Sequence, residues 1–411
     1  MFIEATIDRP AAGGDFIATY QGRIILAHGG IPGERVKIHI RDPEARLWRG
    51  QVVEVLEASP HRIDNPCQSA HAGAGCCDWG YIEPQAAQEF KAAIVADCLR
   101  RVGHLEAAAI PDFDTVDLQP AHGWRTRARL GVDAQGRAGL RRASSHQLVV
   151  GTSCAQAAPG LYDDLSHPGQ FPVAPMRRGR RGGTAEVFVA VDKQGRRSVV
   201  HVSGGGRRRQ ETVMEGPAVL HEEVLGVEFE IPTTGFWQAH RAAPHYYAQR
   251  VQELLHEHNP NGGLRRVFDL YGGVGVLATG ALELLDADGE VVSVENYEAS
   301  SQAGRVAFES RPVRFLTGEV AEVVAGQQPQ GQQGVDAVIL DPPRAGAGRS
   351  AISAIAATAP RTVIHIGCDP ATYARDVHYW HENGYRLTQL EAVDAFSLTH
   401  HVEVISVLQP R

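Results

Sequence analysis

The chain has 411 residues, 43% of them hydrophobic and 21% charged, and a formal net charge of −8. That length exceeds one ordinary core and implies two or three domains, and the composition excludes a disordered or collagen-like chain. No apolar run is long enough to span a bilayer, and Met1 to Pro10 lacks a basic stretch leading into an apolar one. Neither a membrane span nor a secretory signal is therefore expected, and the cytoplasm is the expected compartment. Six cysteines in a chain of this size do not make a disulfide framework.

The first sixty residues read as short strands. Phe2 to Asp8 alternates apolar and polar side chains; Arg23 to Ala27, Arg35 to Ile40 and Gly50 to Leu56 are further strands. Glycine and proline punctuate them at Gly13-Gly14, Gly29 to Gly33 and Asp42-Pro43. Such close spacing predicts a small oligonucleotide-binding type of β-barrel over residues 1–60. Residues 61–81 look like loop and carry Cys67, Cys76 and Cys77. A helix is predicted from Pro84 to Val102, with an apolar stripe that includes Cys98 as a small buried hydrophobe. This helical region, 84–105 at its widest, is a candidate to pack on the C-terminal domain.

From Arg125 to Val132, Glu186 to Val191, Ser198 to Val202 and Val227 to Ile231 the pattern is again that of strands. Arginines interrupt them at 125, 127, 129, 141, 142, 177, 178, 180, 181 and 207–209. The overall acidity gives no sign of nucleic-acid binding, but this middle part, 61–235, is locally basic and reads as a mostly β substrate domain. A solvated arginine-rich surface is the plainer alternative.

After residue 236 the texture becomes α/β. A helix (241–258) precedes strands at 265–270, 290–295, 313–316, 335–341 and 361–367, with helices between them. Alternation of this kind predicts an open, mostly parallel sheet whose ligands sit at the carboxyl ends of the strands. The first strand ends in Asp269-Leu-Tyr271-Gly-Gly273-Val-Gly275, a turn that lets backbone approach a ligand. The second ends at Glu295, roughly twenty residues on, where a carboxylate suits two ribose hydroxyls. Glu319 follows the third strand and is a candidate acceptor for an adenine amino group. No Lys-Ser/Thr of a triphosphate loop is present, so a nicotinamide dinucleotide and S-adenosylmethionine both remain open.

Three later segments converge on the same sheet edge: Asp341-Pro-Pro-Arg344, Gly367-Cys368-Asp369-Pro-Ala-Thr372, and His400-His-Val-Glu403. Together with Phe236-Trp-Gln238 and the turn at 269–275, they resemble the RNA uracil-5-methyltransferase family, most strongly through the C-terminal third. The N-terminal barrel is similar to the TRAM module that such enzymes often carry. The resemblance implies a Rossmann-like class I methyltransferase domain over 236–411, S-adenosylmethionine as cofactor and ribosomal or transfer RNA as substrate. The size of the barrel and the central part leans the expectation toward ribosomal RNA.

The chemistry gives those residue types a reason. C5 of uracil is too weak a nucleophile until a thiolate adds at C6, so Cys368 is the expected nucleophile. A carboxylate must then remove the C5 proton, the role implied for Glu403, with Asp341 beside cofactor or pyrimidine. By the same resemblance Gln238 and Tyr271 touch the cofactor, with Gly273, Gly275, Glu295 and Glu319 completing its site. Arg344 is a substrate ligand or the partner of a loop carboxylate.

Many members of the family hold an iron–sulfur cluster on four cysteines. Here Cys67, Cys76 and Cys77, with Cys154 as fourth, are the candidate set for a 4Fe-4S cluster, with zinc or no metal as alternatives. Adjacent Cys76 and Cys77 depart from the family's spaced pair. Gly367 and Asp369 stand where the family has Ser and Asn, and an ionised Asp369 beside the thiol is expected to oppose thiolate formation. An RNA-binding protein with a silent methyltransferase domain, or a methyltransferase of this fold acting on another base, are the competing readings. A monomer is expected.

Overall fold

A computed structural model describes residues 1–173, 185–260, 263–327 and 334–411. The arginines at 177, 178, 180 and 181 lie outside the described residues.

Five strands, Phe2–Pro10, Phe16–Tyr20, Arg23–His28, Arg35–Ile40 and Trp48–Glu57, close into a barrel. Alternation sets its inside: Ile3, Ala5 and Ile7 point inward while their neighbours are exposed. Closure comes from a parallel pairing of Arg23–His28 with Trp48–Glu57, which leaves the barrel without a free edge in hydrogen bonding. A separate six-stranded sheet runs in the order Gln210–Glu215, Arg197–Ser203, Glu186–Val191, Arg127–Val132, Ala138–Arg141, Leu148–Val149. Leu130, Leu161, Phe171, Val187 and Val189 form a core of its own.

The third sheet has eight strands, in the order Val313–Thr317, Leu285–Glu295, Leu264–Leu270, Ala337–Leu340, Thr362–Gly367, Glu403–Pro410, Tyr385–Asp394, Thr115–Asp117. The first five are parallel; Glu403–Pro410 runs antiparallel between two neighbours. Ala337–Leu340 and Thr362–Gly367 are wholly buried, as strands covered by helices on both faces must be. Sequence order reverses at Leu264–Leu270, so the crevice between its end and that of Ala337–Leu340 is the switch point where ligands bind.

Some elements differ from the sequence reading. The helix expected after the glycine turn is a 3-10 helix, Leu277–Leu284. Strands Gln210–Glu215, Val219–Val224 and Tyr385–Asp394 carry no clean signal in the sequence because exposed or mixed patterns obscure the period. Helix Pro84–Arg101 packs on helix Pro370–Glu382, and Thr115–Asp117 pairs with the end of Tyr385–Asp394. This stretch of the middle segment thus lies with the C-terminal sheet. Lys91 on that helix is fully buried and donates to Asp394 Oδ1 at 2.6 Å.

Candidate active site

Cys368 sits in the turn between strand Thr362–Gly367 and helix Pro370–Glu382. Asp369 is the N-cap of that helix, its Oδ1 accepting from Ala371 N at 3.1 Å and Thr372 N at 2.9 Å, and Pro370 occupies the first turn. An aspartate serves this capping role as well as an asparagine, and its charge suits the helix N-terminus. The carboxylate is thereby engaged by the helix rather than set against the thiol, contrary to the sequence expectation. Gly367 is explained too: a Cβ there would stand 2.8 Å from the Tyr373 ring.

Glu403 begins the antiparallel strand. The last register pair is Gly367 with Val404, so Cys368 leaves this ladder at the same end at which Glu403 enters it. Asp341 ends the next strand over, its N–H reaching Leu270 O at 3.3 Å. These three groups shape one another's ionisation. Burial, then the carboxylates of Glu403 and Asp341, push the Cys368 thiol up to about 12, against a lowering by the Arg344 guanidinium. Burial and Asp341 hold Glu403 well above the usual carboxylate range, again with Arg344 opposing. Burial, with Asp269 nearby, raises Asp341 to about 7. Neither Glu403 nor Asp341 has a side-chain hydrogen-bond partner among the described residues, although Glu403 is only 5% exposed. Carboxyls raised in this way and gathered at one sheet edge mark a candidate functional site.

The turn after Leu264–Leu270 forms the neighbouring half of the crevice. Tyr271 takes a φ of +59°, and Gly273 and Gly275 take +59° and +92°, the left-handed region that glycine enters freely. Glu295 is half-buried and organises this turn: its Oε2 accepts from Gly273 N at 3.1 Å and its Oε1 from Tyr297 N at 2.7 Å. Glu319 is exposed and accepts from Asn296 Nδ2 at 2.7 Å. Gln238 is half-buried, with no side-chain partner among the described residues.

Two groups escape the sequence reading. Asp269 is fully buried, pushed up to about 7 by that burial; one oxygen takes Ser293 Oγ and the other has no partner. Tyr247 on helix Ala243–His258 is buried with its hydroxyl unpartnered, and it feels the charges of Glu403, Asp341 and Cys368. Only its place on the apolar helix face pointed inward, a signal that any core tyrosine gives.

The cysteines form a second cluster. Adjacent Cys76 and Cys77 do converge: the sulfurs of Cys67, Cys76, Cys77 and Cys154 all lie within 4.8 Å of one another. Asn65 holds the loop, accepting from Cys67 N and donating to Cys77 O, both at 3.0 Å, while Gln156 Nε2 donates to Cys76 O. Four thiols this close among buried apolar neighbours fit a thiolate-bound metal group. Cys98 stands apart in the core.

Known proteins resemble this chain in sequence and in fold. Residues 331–411 match the family model described as tRNA (Uracil-5-)-methyltransferase. An uncharacterized RNA methyltransferase of Corynebacterium efficiens is 42% identical, the alignment covering 98% of this chain and 94% of the relative. One from Streptomyces coelicolor is 32% identical over 99% of this chain and 92% of its own. The crystal structure of Pyrococcus abyssi tRNA (uracil-54, C5)-methyltransferase in complex with S-adenosyl-L-homocysteine superposes with a TM-score of 0.72 at 18% identity, covering 99% of this chain and 100% of that one. It shows the same fold, barrel and Rossmann-like sheet included. The chain therefore belongs to the RNA methyltransferase family that includes the tRNA (uracil-5-)-methyltransferases.

Proposed function

We propose that this RNA methyltransferase moves a methyl group from S-adenosylmethionine to C5 of a uridine in transfer or ribosomal RNA. The observation that carries the reading is the ladder that ends at Gly367 and Val404, beside which Cys368 and Glu403 lie at one sheet edge, with Asp341 one strand away. A thiol and a carboxyl facing one crevice are what addition at C6 and proton removal at C5 require.

The turn at Tyr271–Gly275, Glu295 and Asp341 fit the cofactor, with Gln238 and Glu319 at its margin. The carboxyl of Asp341, half-buried at the end of its strand, leaves an acceptor for it. When bound, S-adenosylmethionine supplies the methyl group and a positive sulfonium, which nearby carboxylates favour.

The reacting edge of a stacked base is inaccessible, so the target uridine enters flipped out. The positive charge of Arg344 favours the ionised forms of both Cys368 and Glu403. The Cys368 thiolate adds to C6 and directs electron density to C5, which takes the methyl group. Glu403 then accepts the C5 proton, the C6–S bond breaks and the ring regains its double bond. The barrel and the arginines of the middle domain hold the surrounding RNA through phosphates and stacking.

We further propose that the four cysteines hold a metal centre. Sulfurs around one tetrahedral ion with bonds of about 2.3 Å stand about 3.8 Å apart. Separations within 4.8 Å, with Cys67 Sγ to Cys76 Sγ at 3.6 Å, follow that spacing. A four-iron cluster places each thiolate on a different iron and needs these cysteines to open outward.

RNA containing 5-fluorouridine tests the main reading, because fluorine cannot leave C5 as a cation. With S-adenosylmethionine present, a covalent RNA adduct on the Cys368 peptide is expected, and none in Cys368→Ala. A protein that binds the cofactor but forms no adduct with total RNA would refute the uracil-C5 mechanism.

A further inference from the structure

The segment between strands Tyr385–Asp394 and Glu403–Pro410 carries Glu403 at its end. It is held from outside by the cysteine loop. Trp79 N donates to Leu398 O at 3.0 Å, and His400 Nδ1 is paired with Asp78 Oδ2. Leu398 also packs against the cluster of Cys67, Cys77 and Cys154, and it does so with a φ of +69°. Residues 77–79 thus join a thiol of the cluster directly to two anchors of the segment, and Glu403 follows three residues after the second. The barrel closes over this junction. Trp79 Nε1 donates to Gly14 O at 3.1 Å, and a Cβ on Gly14 would lie 2.8 Å from His400 Nδ1 and 3.1 Å from Asp78 Oδ2.

We infer that Asp78 and His400 are positioning residues for Glu403, and that a metal held by the four cysteines fixes them. Binding of a metal sets the backbone at Cys77, Cys77 sets Asp78 and Trp79, and these hold Leu398 and His400 in place. Losing the metal frees the loop but touches neither Cys368 nor the turn at Tyr271–Gly275. Addition of the thiolate and methyl transfer then continue, while removal of the C5 proton slows. This consequence rests on the role proposed for Glu403; the tether itself does not.

The experiment compares protein purified anaerobically, and reloaded with Zn²⁺ or with Fe²⁺ and sulfide, against the same protein stripped by a chelator under reducing conditions. Metal and sulfide content say which group is bound. Hydrogen exchange of a peptide spanning 395–403 is expected to rise at least several-fold on stripping, with the barrel strands unchanged. Asp78→Asn and Gly14→Ala are each expected to keep the metal and yet raise exchange in the same peptide. With ordinary uridine RNA, the stripped protein and both variants should accumulate the methylated Cys368–RNA adduct and release product roughly tenfold more slowly, with cofactor binding unaltered. Exchange that stays the same, or rises throughout the chain, would overturn the tether. So would a protein that takes up neither Zn²⁺ nor iron with sulfide. Raised exchange with normal release supports the tether and refutes Glu403 as the base.

Discussion

Lys91 and Asp394 offer a test of how the helix Pro84–Arg101 is tied to the catalytic sheet. The lysine is fully buried, the aspartate side chain is 5% exposed, and Nζ meets Oδ1 at 2.6 Å with a weaker donation to Phe396 O at 3.4 Å. Lys91→Met keeps the volume but leaves the Asp394 carboxylate buried without its partner. Breaking a buried pair from one side costs about 3–5 kcal/mol. Against the roughly 5–15 kcal/mol that holds a domain folded, that is a fifth or more of the total. The unfolding constant should rise by about two to three and a half powers of ten, at about 1.4 kcal/mol each. Replacing both members, Lys91→Met with Asp394→Leu, removes the stranded charge and should recover most of the loss. Denaturant unfolding followed by tryptophan fluorescence reads these values, since Trp79 and Trp380 are buried. A loss under about 1 kcal/mol for Lys91→Met, or a double variant as unstable as the single, refutes the reasoning.

Further expectations concern the site. Glu403→Gln should slow turnover by about 10²–10⁴-fold and leave a stable adduct on ordinary uridine RNA, visible on a denaturing gel; turnover within tenfold of wild type excludes the base role. Asp369→Ala should lose about 1 kcal/mol through the helix cap, whereas Asp369→Asn should be nearly neutral, both read by denaturant unfolding. Asp341 has its carboxyl raised from 3.8 to about 7, so the folded chain holds a proton that the unfolded chain has released. Its contribution to the stability of the cofactor-free protein therefore falls as pH rises between those values and is flat above them. Unfolding at pH 5 and pH 8 should show that fall, and Asp341→Asn should reduce it.

The C-terminal architecture was readable because its strands are buried runs separated by turns, and because Asp341, Cys368 and Glu403 fall at strand ends. The barrel's alternation likewise gave its inside and outside. What escaped depends on partners distant in sequence. Lys91 lies on the apolar stripe of its helix, but its partner is 303 residues away, and only the fold explains a charge there. The convergence of Cys76 and Cys77 depends on a loop held by Asn65 and Gln156, which no spacing rule encodes. Asp369 reads as a threat to the thiol until its carboxylate is found on the helix amides. Tyr247 has no local mark at all.

The antiparallel insertion of Glu403–Pro410 beside Thr362–Gly367 has a consequence for how such a protein can change. Residues 368 and 403 are joined by a helix, a strand and a long turn, yet Cys368 directly follows Gly367 and Glu403 directly precedes Val404, the last pair of the ladder between two adjacent strands. Insertions or new side chains in the connecting segments, away from the anchors at Leu398 and His400, leave that ladder alone. Selection for a different RNA can therefore rework the periphery freely, while the distance between the two reacting side chains is inherited with the sheet.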